Sequence, residues 1–333
     1  MADGAAARTV GAVVAEGSPP SPPSKAARGP TARSFGSVLS DYVQISKPRI
    51  LLLLLMVAWA AMFVAAGGVP GWKPFLAVTL GGTFSTAASG ALNNVLERRR
   101  DARMGRTANR PVASGRITPL AATVYGLTMA MLAVLVLVLP GYTLAAAFTA
   151  AAIAYYVLVY TVALKPATPH NIVIGGLAGS FPALIGWTAA TGTLAWPASL
   201  PAIVLAALVF LWTPAHFWSL ALLYKDDYAA AEYPMMPNVH GDGSTRVQIF
   251  AYAWMTALAS LVLVASRDAG LVYLATAVIL GGMLVLRSWR LLARFDPKAY
   301  RSFFLFTIQY LGFLLLGLMA DRLLLDRMPA LPF

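Results

Sequence analysis

Asn93, Glu97 and Asp101 lie four residues apart in the run NNVLERRRDARMGRT. On a helix that spacing stacks the three side chains on one face. Two carboxylates and an amide in one stripe present the hard oxygen donors that suit Mg²⁺. Arg98, Arg99, Arg100, Arg103 and Arg106 crowd the same turns. Oxygen ligands for a metal beside guanidinium groups suit a diphosphate, whose oxygens accept both Mg²⁺ and bidentate Arg. The run follows a strongly apolar stretch, so the diphosphate it suits carries an apolar tail. A second acidic pair, Asp226 and Asp227 in YKDDYAAAEYPMMPNVHG, follows another apolar stretch in the same way. Helical neighbours point about 100° apart, so one of these two acids is expected to face a metal, and the sequence leaves open which.

The elements that must position these residues are transmembrane helices. Of 333 residues 59% are hydrophobic and 11% charged, a balance of an integral membrane protein. Nine stretches reach the about 20 apolar residues that cross a bilayer: 49–67, 73–96, 117–139, 142–165, 171–191, 197–224, 247–266, 270–292 and 301–324. The expected fold is an all-α integral membrane protein, a bundle of nine transmembrane helices around a central cavity, formed by residues 35–333. Residues 1–34, rich in Ala, Pro and Ser, read as a disordered tail with no secretory signal. Cysteine is absent, which excludes disulfides, thiolate metal sites and a cysteine nucleophile. A net charge of +12 would suggest nucleic acid in a soluble protein. Here all Lys and Arg except Lys73, Arg267, Arg322 and Arg327 fall at the N-terminus or in even-numbered loops, where membrane topology explains them without nucleic acid. That bias puts the N-terminus and both acidic runs in the cytoplasm and the C-terminus outside.

At the motifs the chain resembles the UbiA-type intramembrane prenyltransferase superfamily, and within it the branch that farnesylates haem. The superfamily's NDxxDxxxD motif falls on Asn93, Asn94, Glu97 and Asp101. The branch's extension falls on Met104, Arg106-Thr107 and Arg110-Pro111, and its other segments on TPAHFWSLAL, KDDYAAAEYPMMP and KPATPHNIVIGGLAGSFPALIGW. The likeness covers most of residues 40–320. It implies that farnesyl diphosphate, protoheme IX and water give haem O and diphosphate, with Mg²⁺ as cofactor and haem as substrate. It places Asn93, Glu97, Asp101, Asp226 and Asp227 as catalytic, metal-holding groups. From their own position and charge, Arg106, Arg110, Lys165, Lys225 and Tyr228 are assigned to the diphosphate, and His216 and His170 to haem. It further implies a bacterial plasma membrane, with the mitochondrial inner membrane as alternative, and delivery to a downstream haem-modifying enzyme or oxidase assembly factors. The chain departs from the pattern at several positions, Asn94 for Asp among them. Glu97 stands for the usual Asp, Arg100 stands where an apolar residue is usual, and the second motif's spaced pair is replaced by adjacent Asp226 and Asp227, with Ala231 and then Glu232.

Each residue also has a plainer reading. The acidic stripe is otherwise a solvated helix end paired with Arg. Lys165 and Lys225 are otherwise snorkelling ends, and Tyr228 part of an aromatic belt. His216, inside the sixth stretch, is either a haem contact or a neutral side chain bonded to a neighbouring helix; ionisable groups at that depth are costly and often functional. His170 is equally a loop residue. Rival functions are prenylation of a quinone precursor or chlorophyllide, and secondary transport, which calls for charge near mid-membrane. Reporter fusions test the topology: loops 97–116 and 225–246 are expected on the cytoplasmic side and residue 333 opposite. An external signal at either loop would rule out a site shared by the two acidic runs.

Overall fold

The computed structural model describes residues 34–265, 268–293 and 296–324. The tail and the C-terminal residue, to which the sequence assigned disorder and an external position, lie outside them. Among the described residues nine helices are long and apolar enough to cross a membrane, and no strand occurs. In chain order the elements are α1 (Phe35–Ile45), α2 (Pro48–Ala66), α3 (Trp72–Asp101), α4 (Pro119–Val138), α5 (Thr143–Ala154), α6 (Asn171–Gly175), α7 (Phe181–Thr191), α8 (Leu200–Leu223), α9 (Lys225–Ala230), α10 (Met236–Ala265), α11 (Leu271–Leu291) and α12 (Pro297–Leu324). A π-helical stretch, Tyr155–Leu164, continues α5, and a 3₁₀ stretch, Gly176–Ser180, joins α6 to α7.

Hydropathy located the spans, but some helices continue beyond them. α3 runs through five further residues to Asp101, and α10 begins at Met236 and bends at Gly241, which has φ 79°. A helix satisfies its backbone bonds whatever its side chains are, so an apolar stretch may end before the helix does. α3 therefore carries Asn93, Glu97 and Asp101 inward as one rigid stripe.

The helices wrap round so that α12 returns to pack on α2 and α8. Very close crossings tighten the ring. A Cβ on Gly186 of α7 would lie 2.1 Å from the Ala58 carbonyl oxygen of α2. Glycines 81, 82, 175, 176, 179 and 281 likewise face neighbouring helices, as expected for close packing, whereas Gly282 faces open space. Pro182 sits in the first turn of α7, where no amide is lost, and Pro214 interrupts the backbone ladder of α8. At the end away from the acidic stripe, buried Asp321 of α12 accepts from the backbone N–H of Gly270 and Tyr273 (2.5 and 3.1 Å). It thereby satisfies the N-terminal amides of α11.

α1 lies ahead of the first apolar stretch, 49–67, and was not expected from hydropathy. It presents Phe35, Leu39 and Val43 outward and buries Asp41 and Ile45. Arg116, just ahead of α4, holds Asp41 at 3.0 Å. Gly186→Ala is expected to lower thermal stability in detergent, on the order of 1–3 kcal/mol from overpacking. An unchanged melting temperature would show that the α2–α7 crossing relaxes without cost.

Candidate functional site

The stripe on α3 is buried at the end of the bundle: Asn93, Glu97 and Asp101 are each at most 4% exposed. Three cations from three separate segments surround it. Lys165, closing the π-helical stretch, pairs with Glu97 Oε1. Arg110, from the loop after α3, reaches both Asp101 oxygens through Nη1 (3.0 and 2.8 Å) and lies 3.8 Å from Glu97 Oε2. Lys47, between α1 and α2, donates to Asn93 Oδ1 (2.8 Å) and to the Tyr156 hydroxyl (3.0 Å). Asn93 also donates to Thr161 (3.2 Å), whereas Asn94 turns back onto the Gly90 carbonyl (2.8 Å). Of the motif's two amides, Asn93 is therefore the one turned into the cluster.

Lys47 was legible in the sequence only as a topology charge. Its backbone is left-handed (φ 55°, ψ 53°), a conformation rare for a residue other than Gly, Asn or Asp. The adjoining corner lies directly on α3. A Cβ on Gly90 would sit 2.3 Å from the Ile45 carbonyl oxygen and 3.2 Å from Lys47 Cγ. Glycine at position 90 thus lets the corner approach one turn before Asn93. Burial, with Arg110 adding to it, lowers the Lys47 pKa to about 8. For Arg110, burial acts downward, but Asp101 and Glu97 together raise its pKa. Both groups stay largely charged near neutrality.

The π-helical stretch turns Tyr156 and Tyr160 toward the stripe. Thr161 donates to the Tyr156 carbonyl and Lys165 N–H to that of Tyr160, both five residues back. π-turns recur at functional sites. Hydropathy and α-helical spacing carry no signal for this one.

The second acidic run meets the first through the loop after α3. Asp227 accepts from the backbone N–H of Gly105 and Arg106 (both 3.3 Å), while Asp226 is exposed. The adjacent acids do point differently, and Asp227 faces inward. Arg106 donates to the Tyr228 hydroxyl (3.3 Å) and lies 5.1 Å from the Tyr224 ring centre. Burial pushes the Tyr228 phenol up to about 12, so it keeps its proton for donation. Arg100, at a position usually apolar, stacks on Tyr233 at 4.7 Å, and Lys165 lies over the same ring at 4.7 Å. A guanidinium lying on an aromatic face accounts for a cation here. Lys225 is drawn away to Asp242 (2.7 Å). His170 is exposed, its ring 6.2 Å from that of His240. His216, in α8, is bonded to Thr307 of α12 at 2.7 Å.

Among the described residues no three acidic or histidine side chains form a ready metal cage. Mg²⁺ sites need none, because one or two carboxylates plus substrate phosphates complete the shell. Glu97, Asp101 and the Asn93 amide fit that donor set. An apolar groove of about 550 Å³ lined by Phe250, Trp254, Gly281 and Trp289, on α10 and α11, carries none of these groups.

Residues 53–311 match the UbiA prenyltransferase family. The chain is 42% identical over 292 residues to the protoheme IX farnesyltransferase of Trichormus variabilis, covering 87% of this chain and 91% of that one. It is 43% identical over 287 residues to the protoheme IX farnesyltransferase of Thermus thermophilus, covering 86% of this chain and 46% of that one. The chain therefore spans about half the length of the Thermus relative. Among solved structures, a UbiA homolog from Aeropyrum pernix superposes with a TM-score of 0.68 at 15% identity, covering 84% of this chain and 98% of that one. A UbiA homolog from Archaeoglobus fulgidus bound to GPP and Mg²⁺ does so at 0.56 and 11%, covering 84% and 99%. These two likenesses concern the fold.

Two outcomes follow from the geometry. Asp227→Ala is expected to slow turnover at least tenfold more than Asp226→Ala, about 1.4 kcal/mol of barrier, because only Asp227 holds the loop that carries Arg106. Equal losses would contradict this division. Gly90→Ala and Lys47→Met are both expected to weaken diphosphate binding by tenfold or more. Wild-type affinity in Gly90→Ala would show that the Lys47 corner is not set by that contact.

Proposed function

The chain belongs to the UbiA prenyltransferase family, and from that premise we propose that it transfers the farnesyl group of farnesyl diphosphate to a vinyl group of protoheme IX. Water is added, and the products are haem O and diphosphate. One observation carries the diphosphate half of this reading: the buried Asn93–Glu97–Asp101 stripe is ringed by Lys47, Lys165 and Arg110. The acceptor half is supported by relatives named for that activity, with identity extending over most of the chain.

In this mechanism Glu97, Asp101 and the Asn93 amide are the oxygen donors that would hold Mg²⁺. When bound, the ion neutralises negative charge on the diphosphate oxygens. Lys165 and Arg110, which pair with Glu97 and Asp101, and Lys47, which donates to Asn93, are the cations that would bind the diphosphate oxygens. Arg106 and Tyr228 close on the diphosphate from the loop side, and Asp227 keeps that loop in position. These donors stabilise charge that grows as the allylic C–O bond breaks and its electron pair leaves with diphosphate. Phe217, Tyr228 and Tyr233 supply an apolar wall that keeps water from the allylic cation. The haem vinyl group forms the new C–C bond. Water then captures the remaining carbocation and loses a proton, leaving the hydroxyl of haem O. His216 lies on the acceptor side, one residue from Phe217. His170 and Lys225 are given no part in this reading.

The chain's Lys and Arg distribution supports a site on the same side as the N-terminus, and the bacterial relatives support a plasma membrane. The product is a lipid-soluble haem, suited to a membrane-bound haem-modifying enzyme or oxidase assembly factor. Secondary transport finds less support, since the ionisable cluster sits at one end of the bundle. Prenylation of a quinone precursor or chlorophyllide remains the rival acceptor chemistry. Membranes containing the chain are expected to convert haem b and farnesyl diphosphate to haem O, resolved by chromatography. Asp101→Asn is expected to abolish the product. Farnesyl diphosphate turnover with a quinone precursor and none with haem would overturn the acceptor assignment.

A further inference from the structure

His216 sits seven residues before the end of α8 at Leu223, about 10 Å into the bundle at 1.5 Å per residue. Its ring is held on three sides. Trp212 stacks on one face (centroids 4.2 Å, planes 14° apart) and Phe304 lies nearly parallel at 4.6 Å and 22°. At the edge, Nδ1 is 2.7 Å from the Thr307 hydroxyl. Trp212 is itself fixed, because its Nε1–H donates to the Thr307 carbonyl at 2.9 Å. Thr307 therefore locks the histidine through its side chain and the covering indole through its backbone.

The bonds at Thr307 favour one tautomer. A threonine hydroxyl has one proton. At Thr307 that proton goes to the Phe304 carbonyl, 2.6 Å away, and a carbonyl can only accept. With its proton there, the hydroxyl accepts from His216, and Nδ1 is the protonated nitrogen. The lone pair is then on Nε2. Nε2 has no partner among the described residues, and the side chain is only partly buried. A neutral imidazole whose Nδ1–H is tied to an oxygen, with the opposite nitrogen free, is the arrangement of a metal-ligating histidine. The neighbouring Phe217 ring packs 6.2 Å from Tyr228, which receives Arg106. α8 thus reaches the Arg106 side of the site one residue after His216.

We propose that Nε2 of His216 ligates the iron of the haem acceptor and that Thr307 is the positioning residue that fixes its tautomer and ring plane. This rests on the reading of haem as acceptor. With both ring faces covered, Nε2 at the ring edge is the atom left for a ligand, and iron binds an imidazole in the ring plane. Ligation would then set the position of a vinyl group relative to the allylic carbon.

The test uses the purified full chain titrated with haem b, read by absorption and resonance Raman spectra, with Mg²⁺-dependent farnesyl diphosphate binding measured in parallel. Thr307→Val keeps the shape but cannot accept from Nδ1–H. It is expected to weaken haem binding at least tenfold and to change the histidine-ligated Soret band, with diphosphate affinity unchanged. Thr307→Ser is expected to restore both haem signals. His216→Gly is expected to lose the ligand signature and to regain it with added imidazole; this arm decides the matter if Thr307→Val fails to fold. A wild-type spectrum in Thr307→Val, or a His216→Gly spectrum that neither changes nor responds to imidazole, would overturn the proposal. Haem O formation by the wild type distinguishes the two levels: product with unaltered variant spectra removes only the ligand assignment, whereas ligation without product removes the farnesyl-transfer reading.

Discussion

Two carboxylates buried at the end of an apolar bundle must be compensated, and the structure is arranged round that requirement. Stripping an ion of water costs on the order of several kcal/mol unless partners replace the lost hydration. Glu97 and Asp101 obtain theirs from Lys165 and Arg110, and Lys47 completes the ring at Asn93. No single helix could bring these cations together. Lys165 arrives at the end of a π-helical stretch, Arg110 from the loop after α3, and Lys47 from a left-handed corner resting on Gly90. Two unusual local conformations, the π-helical stretch and the left-handed Lys47 corner, thus fall where charge must be met.

The same arrangement suits an anionic substrate that brings its own metal. Three cations against two carboxylates leave the centre positive, which attracts a diphosphate. They also leave few acid oxygens free for a lone divalent ion. Metal and diphosphate are then expected to favour one another, since each relieves what the other lacks. Loop contacts act in the same direction: Asp227 holds the backbone at Gly105 and Arg106, and Tyr228 receives the Arg106 guanidinium. The exposed Arg103–Glu232 pair at 3.0 Å links the same two loops but contributes little energy in water.

Much of this was legible before any coordinates. Apolar length located the nine spans, and four-residue spacing put Asn93, Glu97 and Asp101 on one face. What escaped was what depends on tertiary approach. Lys47 reads as one more positive charge beside a span, and only the Gly90 contact shows why it points inward. Asp226 and Asp227 are equivalent as letters; the direction of a six-residue helix separates them. Lys225 looked as apt for phosphate as Lys165, yet Asp242, seventeen residues on, holds it elsewhere. Helix ends were misjudged where α3 and α10 continue through polar residues. The tautomer of His216 had no trace in the sequence, because it depends on a threonine in a helix met only after the chain returns.

The central claim is that the acidic stripe, already paired with lysine and arginine, accepts a divalent ion together with a diphosphate and poorly without one. Binding of Mn²⁺ to the purified chain, followed by its electron paramagnetic resonance with and without a non-hydrolysable farnesyl diphosphate analogue, tests it directly. The account expects weak binding of the ion alone, at least tenfold tighter binding with the analogue, and coupling of the ion to phosphorus. By linkage the ion must tighten the analogue by the same factor. Tight Mn²⁺ binding that is indifferent to the analogue, or analogue binding that is indifferent to the ion, would contradict it.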